Sequence, residues 1–288
     1  SISVVTPHAI IASAVLNCYS SRFSKKEMME RSDTYMNYIT FVNANLADTL
    51  TVDPSTALHH VIDIFIQRDF FELEEEEEIN DHTYFIVKDN KRPILDYYKN
   101  NSISYFIPAA YTATAILERD MLMFYPRDLE ETYRFLQDLF MDEFSFNEEV
   151  PCSQYIDSCI KAFMEDGMVV PSNEVPEAYH ITSEGLRKLR CFAQFLHPFF
   201  ESYKTTIAFL EKNSADKLES RDLVKKIQAT GMKMYKKRQV VLKESLSKIN
   251  YINASGFCRK KGLHESESPE LIHYYKDRIE KLLIVLNP

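Results

Sequence analysis

His59, His60 and Asp63 come closest to a metal-binding pattern in this chain. If the stretch is helical, His59 and Asp63 lie one turn apart on one face. A protein zinc site needs three or four ligands, however, and no third donor stands nearby, so these residues read as a helix surface. The other histidines give no better chemistry. His8 has no carboxylate at short range to make it a general base. His82 falls in a hairpin, His180 begins another, and His197 precedes Pro198 in an apolar stretch. His264 and His273 lie in polar or helical tail sequence. None stands in a nucleophile–base–carboxylate order, and G-x-S-x-G is absent. With 5 glycines in 288 residues and no G-x-G-x-x-G or G-x-x-x-x-G-K-[ST], phosphate-cradling loops are excluded too. The expectation is a chain with no catalytic residues, no metal and no cofactor.

The cysteines lead to the same view. Cys18, Cys152, Cys159, Cys191 and Cys258 are odd in number, scattered and without a C-x-x-C pair, as reduced thiols packed as small hydrophobes would be. Cys152 and Cys159 are seven residues apart, which puts them on one helical face and reads as packing.

Charge is more informative. Between Lys217 and Gly262 there are 13 Lys and Arg against 3 acids, in a chain whose formal net charge is −9. The segment includes "KMYKKRQ" and "FCRKKG". Such asymmetry points to an anion-facing surface, or to a helix face paired with the chain's own acidic regions. The candidate anion or lipid contacts are Lys233, Lys236, Lys237, Arg238, Arg259, Lys260 and Lys261.

The elements that must hold these residues follow from hydrophobic spacing. Thr6-Pro7 reads as a helix start, Thr as cap and Pro in the first turn, and the run to Leu16 is apolar on almost every face, so that helix is buried on several sides. "HVIDIFIQRDFFEL" (60–73) can be laid over "SCIKAFMEDGMVVP" (158–171): Ile62, Phe65, Ile66, Phe70 and Phe71 match Ile160, Phe163, Met164, Met168 and Val169. In each copy an amphipathic helix passes through a polar pair into a short apolar strand. A polar tip and a returning strand follow, "TYFIVKD" and "AYHITSE". A further helical stretch comes next, "RPILDYYKNNSISYFIPAAYTATAIL" in one copy and "GLRKLRCFAQFLHPFFESYKTTIAFLEK" in the other.

Helix, turn, helix and hairpin is a winged-helix layout. The expected fold is mainly α with small β-hairpins (α+β): two winged-helix-like units, roughly 20–96 and 127–185, plus long C-terminal helices. The expected division is 1–126, 127–215 and a basic helical tail, 216–288. In that tail Gly262 marks a break, and a polar loop (264–270) precedes the last helix, Leu271–Leu286. A nucleic-acid module would place Lys and Arg on its recognition helices. Here those helices are neutral to acidic and the first wing carries "ELEEEEE" (Glu72–Glu78), which argues against DNA or RNA. The longest apolar stretches run to about a dozen residues, short of the roughly 20 that span a bilayer.

Four phrases carry a family resemblance: "VVTPHAIIASAVL", "ILDYYKNNSISYFIPAA", "FLHPFFESYKTTIAFLEK" and "LSKINYINASGFCRKKG". In this order, from near residue 2 to about residue 262, they resemble the C-terminal region of membrane-associated glycerol-3-phosphate acyltransferases. That family is of the bacterial type and has mitochondrial and peroxisomal relatives. The resemblance implies a protein that transfers an acyl group from acyl-CoA or acyl carrier protein to the sn-1 hydroxyl of glycerol 3-phosphate, in phospholipid synthesis at the membrane surface and without a metal. It implies that the chemistry belongs to an upstream domain, whose H-x-x-x-x-D histidine acts as base. No histidine of this chain has Asp five positions on. Ser104 stands where relatives commonly carry a histidine before an aromatic pair, so no role transfers to it. The chain is therefore expected to be the non-catalytic C-terminal region. Its expected partners are the upstream acyltransferase domain of the same protein and an anionic membrane surface or acyl carrier protein, and its expected place is the cytoplasmic face of the membrane, peripherally bound. The alternative is a stand-alone winged-helix module that binds protein or nucleic acid.

Overall fold

The computed structural model describes residues 3–18, 20–74, 78–213, 215, 218–265 and 269–286. Part of the acidic run (75–77), part of the polar loop (266–268) and Lys217 lie outside the described residues. In chain order the elements are α1 (Pro7–Leu16), β1 (Arg22–Ser24), α2 (Lys25–Phe41), α3 (Asp48–Val52), α4 (Pro54–Gln67), β2 (Phe71–Leu73) and β3 (Tyr84–Val87). Then come α5 (Arg92–Asn100), α6 (Ile103–Glu118), β4 (Met123–Phe124), α7 (Glu130–Leu139), α8 (Cys152–Glu165), β5 (Val169–Pro171), β6 (Tyr179–Ile181) and α9 (Ser183–Ala193). The last helices are α10 (His197–Lys212), α11 (Ser220–Lys236), α12 (Lys248–Lys260) and α13 (Pro269–Leu286). The fold is mainly α with two small antiparallel sheets, as expected.

Local chemistry accounts for the helix starts. Thr6 Oγ1 accepts the Ala9 N–H at 3.2 Å, and every residue of α1 except His8 is buried. Ser24 and Glu27 form a reciprocal capping box at α2, with bonds of 3.1 and 2.8 Å that satisfy two otherwise orphaned N–H groups. Asp53 caps α4 ahead of Pro54. The helical stretch expected as one piece after the first hairpin is two helices, α5 and α6, separated at Asn101–Ser102. Its counterpart is likewise broken, into α9 and α10 with a 3₁₀ turn at Gln194–Leu196. Pro198 follows that turn, where the absent N–H costs nothing.

The internal repeat is visible in the backbone. Phe65 and Phe163 occupy equivalent positions, and their carbonyls accept from Phe70 and Met168 at 2.9 and 2.8 Å. One residue before each of these donors the chain enters the left-handed region, at Asp69 (φ 60°) and Gly167 (φ 65°). Each helix therefore closes in the same left-handed turn. The hairpins pair Phe71 with Val87 and Val169 with Ile181, and in both copies an earlier strand adds to the returning one, giving the orders β1-β3-β2 and β4-β6-β5.

By packing, the described residues fall into two compact units. One comprises 1–130 and 151–195. There α1 packs on α5, α2 and α4, while α6 packs on α9 and α8. Tyr35 lies among Phe106, Phe192 and Phe195, donates its hydroxyl to the Cys191 carbonyl at 2.7 Å and accepts from Asn17 at 3.1 Å. The other unit comprises 131–150 and 196–288. In it α10 is the central helix, contacting α13, α12 and α11, and Phe140 packs edge-on against Phe200 and Tyr203.

Candidate functional site

The site is built on α10 in the second unit. Glu201 is buried in the second turn of this helix and acts as an anchor for the connection between α11 and α12. Its carboxylate accepts the Val241 N–H at 2.7 Å, the Leu242 N–H at 3.0 Å and the Ser245 hydroxyl at 2.8 Å. The neighbouring Ser202 hydroxyl donates to the Ser245 carbonyl at 2.7 Å and accepts from Asn250 Nδ2 at 3.2 Å. His197, one turn earlier, brings Nε2 to 3.6 Å from Glu201. Burial pushes the Glu201 carboxyl upward in pKa, and the hydrogen bonds from residues 241, 242 and 245 oppose that shift. The connection just upstream, with Lys237, Arg238 and Gln239, is therefore tied to a fixed helix.

Beside it lies a cavity of about 600 Å³ lined by the C-terminal half of α10, the end of α11, the turn after it and α13. Lys233, Lys237 and Arg238 of the sequence candidates line it. Lys204, Lys212 and Lys276 complete the set of cations, with Glu211 and Glu280 as the only carboxylates among the described lining residues. Lys276 already holds Glu211 at 2.9 Å. Ala208, Phe209 and Met234 supply apolar lining.

The other candidates lie elsewhere. Lys236 ends α11 on the surface and does not line the cavity, and Arg259 is exposed near the end of α12. Lys260 pairs with Asp142, and Lys261 with Asp138 at 2.7 Å while lying over the Phe257 ring. Among the described residues Lys233, Lys236, Lys237, Arg238 and Arg259 have no ion-pair partner. The seven candidates thus divide into a pair of lysines bound internally and five cations turned outward.

Sequence reading missed Lys204, Lys212 and Lys276. Lys204 and Lys212 lie on one helix of ordinary composition, and Lys276 is 64 residues beyond Lys212. A running charge count cannot join residues that only the packing of α10, α11 and α13 brings together.

No cluster of three or more His, Cys, Asp or Glu placed to hold a metal occurs among the described residues. His59 Nδ1 donates to the Ser55 carbonyl at 2.8 Å on an exposed helix face that Asp63 shares. His8 stacks near Phe65 and Tyr98, and its pKa is lowered by burial and by Arg68 and His60. Burial raises the thiol pKa of Cys18 and Cys191, and takes Cys159 to about 11 and Cys258 to about 12, so these thiols stay protonated at neutral pH. Among the described residues no helix is long and apolar enough to cross a membrane.

Comparison with known families matches residues 1–267 to the glycerol-3-phosphate acyltransferase C-terminal region. No curated protein gives a match.

Proposed function

The chain belongs to the glycerol-3-phosphate acyltransferase C-terminal region family, and from that premise we propose that it is the non-catalytic part of a glycerol-3-phosphate 1-O-acyltransferase. In this role it supports an upstream catalytic domain and holds the enzyme at the cytoplasmic face of an anionic membrane. The observation that carries the membrane part is the group of outward cations, Lys233, Lys236, Lys237, Arg238 and Arg259, which have no ion-pair partner among the described residues. Each exposed Lys or Arg close to an anionic surface contributes about 1 kcal/mol of attraction, so four or five suffice for peripheral binding. The support role rests on the family. An acidic carrier protein that delivers the acyl group would meet the same cations.

Co-sedimentation of the full chain with vesicles tests the membrane reading. Binding to vesicles containing phosphatidylserine, none to pure phosphatidylcholine, and a steep loss as salt rises are expected, because exposed charge attraction is screened over about 10 Å at 0.1 M salt. Salt-independent binding, or none, refutes it. Acyl transfer to glycerol 3-phosphate by the chain alone would refute the non-catalytic reading.

A further inference from the structure

We propose that the cavity between α10, α11 and α13 is a binding site for a compound carrying two or more phosphate groups. The inference rests on the anion-facing reading of the basic segment but assigns it a discrete pocket and ligand class. Charge is the first argument. Six cations meet two carboxylates there, and one of those, Glu211, is engaged by Lys276. Lys212 and Lys233 lie in the last turns of α10 and α11, where cations also compensate helix dipoles. Two helix C-termini supply only about one negative charge between them, and Glu201 attracts Lys204, which leaves roughly two to three positive charges without an internal counterpart among the described residues. A single carboxylate or monoester leaves much of that excess unmatched. A diphosphate or bisphosphate matches it.

Backbone conformation is the second argument. Arg238 sits at φ 58°, immediately after the C-terminus of α11, with its N–H bonded to the Tyr235 carbonyl at 3.0 Å. This is the left-handed position that closes a helix and that glycine fills without strain. The structure keeps a long cationic side chain where its backbone is disfavoured, and that side chain lines the cavity. Size and lining agree: 600 Å³ is within the range of small-molecule sites, and Ala208, Phe209 and Met234 offer an apolar wall for the body that carries the phosphates.

Such phosphates can belong to a soluble compound of nucleotide size or to a polyphosphorylated lipid headgroup, and the assay separates the two. Calorimetric titration of the full chain with inorganic pyrophosphate in low salt is expected to give saturable binding. Arg238→Gly is expected to weaken it roughly tenfold, the size of one charge-assisted contact. The same substitution is expected to raise the thermal unfolding midpoint, because it relieves the left-handed strain, so lost binding cannot be ascribed to lost folding. Lys212→Gln, outside the basic segment, is expected to weaken pyrophosphate binding as well. Lys236→Glu is expected to weaken pyrophosphate binding less than Arg238→Gly does, while reducing sedimentation with phosphatidylserine vesicles. Competition of pyrophosphate with vesicles containing a phosphoinositide assigns the site to a headgroup, and binding without competition assigns it to a soluble compound. No saturable binding, or equal weakening by Lys236→Glu and Arg238→Gly, overturns the pocket while leaving the membrane reading intact. Saturable pyrophosphate binding by a wild-type chain that does not sediment with phosphatidylserine vesicles refutes the membrane reading alone.

Discussion

Glu143 gives the second unit a pH-dependent stability that one substitution removes. Its half-buried carboxyl accepts the Tyr203 hydroxyl at 3.2 Å and Asn253 Nδ2 at 2.9 Å, with α10 and α12 on either side. Desolvation lifts its pKa from 4.5 to about 7; the two hydrogen bonds pull the other way, and the negative charge of Asp142 adds to the rise. Asp142 itself is held by Lys260, and Asp138 by Lys261, so the neighbouring cations are committed to other carboxylates. Between pH 4.5 and 7 the folded chain keeps a proton on Glu143 that the unfolded chain has released. Stability from this group is therefore full below pH 4.5 and is lost as pH rises through 7. At 1.36 kcal/mol per unit the whole swing is at most about 3 kcal/mol, and solvent access makes about 2 kcal/mol the working figure.

Glu143→Gln keeps the shape and stays neutral at every pH. The Gln oxygen can still accept from Tyr203, and the Asn253 amide can turn to present its carbonyl. Urea unfolding followed by circular dichroism at pH 5 and pH 8 is the assay, with the variant compared to the wild type at each pH. At pH 5 the two are expected to agree within about 0.5 kcal/mol, and at pH 8 the variant is expected to be more stable by about 2 kcal/mol. Using the difference cancels groups common to both chains, such as Glu201 and Asp33, whose pKa values burial also raises. A variant–wild-type difference that does not change with pH refutes the reasoning, as does a variant that is weaker at pH 8.

Four further substitutions test the packing and the repeat. A Cβ on Gly185, in the first turn of α9, would lie 1.8 Å from the Met168 carbonyl oxygen, so Gly185→Ala is expected to cost about 3 kcal/mol or more by thermal or urea unfolding. Gly167→Ala meets no atom within 4 Å and is expected to cost only the backbone term, about 1 kcal/mol, whereas Asp69→Gly at the equivalent turn is expected to be neutral or stabilising despite losing the Lys88 ion pair. Glu201→Ala strips partners from the N–H groups of Val241 and Leu242 and from Ser245, and is expected to cost about 3 kcal/mol and to raise amide hydrogen exchange at 241 and 242.

What could be read from the residues follows their range of interaction. Helix caps act within three residues, so Thr6 was visible, as was the amphipathic spacing that aligned Ile62, Phe65 and Phe70 with Ile160, Phe163 and Met168. Strands β1 and β4, three and two residues long, carry no measurable alternation and exist only because β3 and β6 pair with them. The breaks at Asn101–Ser102 and Gln194–Leu196 were masked by continuous apolar spacing across them. The buried role of Glu201 also gave no local signal, since its partners lie 40 to 44 residues away.

The basic segment shows why charge counts need a fold before they become function. Lys260 and Lys261 look the most exposed in sequence, in the run "RKKG", yet their partners Asp142 and Asp138 stand 118 and 123 residues earlier. Such partly exposed pairs contribute little stability, on the order of 1 kcal/mol or less each, but they remove two cations from the outward field. Lys212, Lys204 and Lys276, outside the segment, restore positive charge at the cavity. Within the candidate set the unpaired cations are thus concentrated at the end of α11 rather than at the end of α12. An anion is therefore expected to meet Lys233, Lys237 and Arg238 before Arg259, and salt-dependent binding is expected to fall more on Lys237→Glu than on Arg259→Glu. Equal effects of the two would show that the chain presents a diffuse basic surface and that the folding of α10, α11 and α13 around the cavity has no part in recognition.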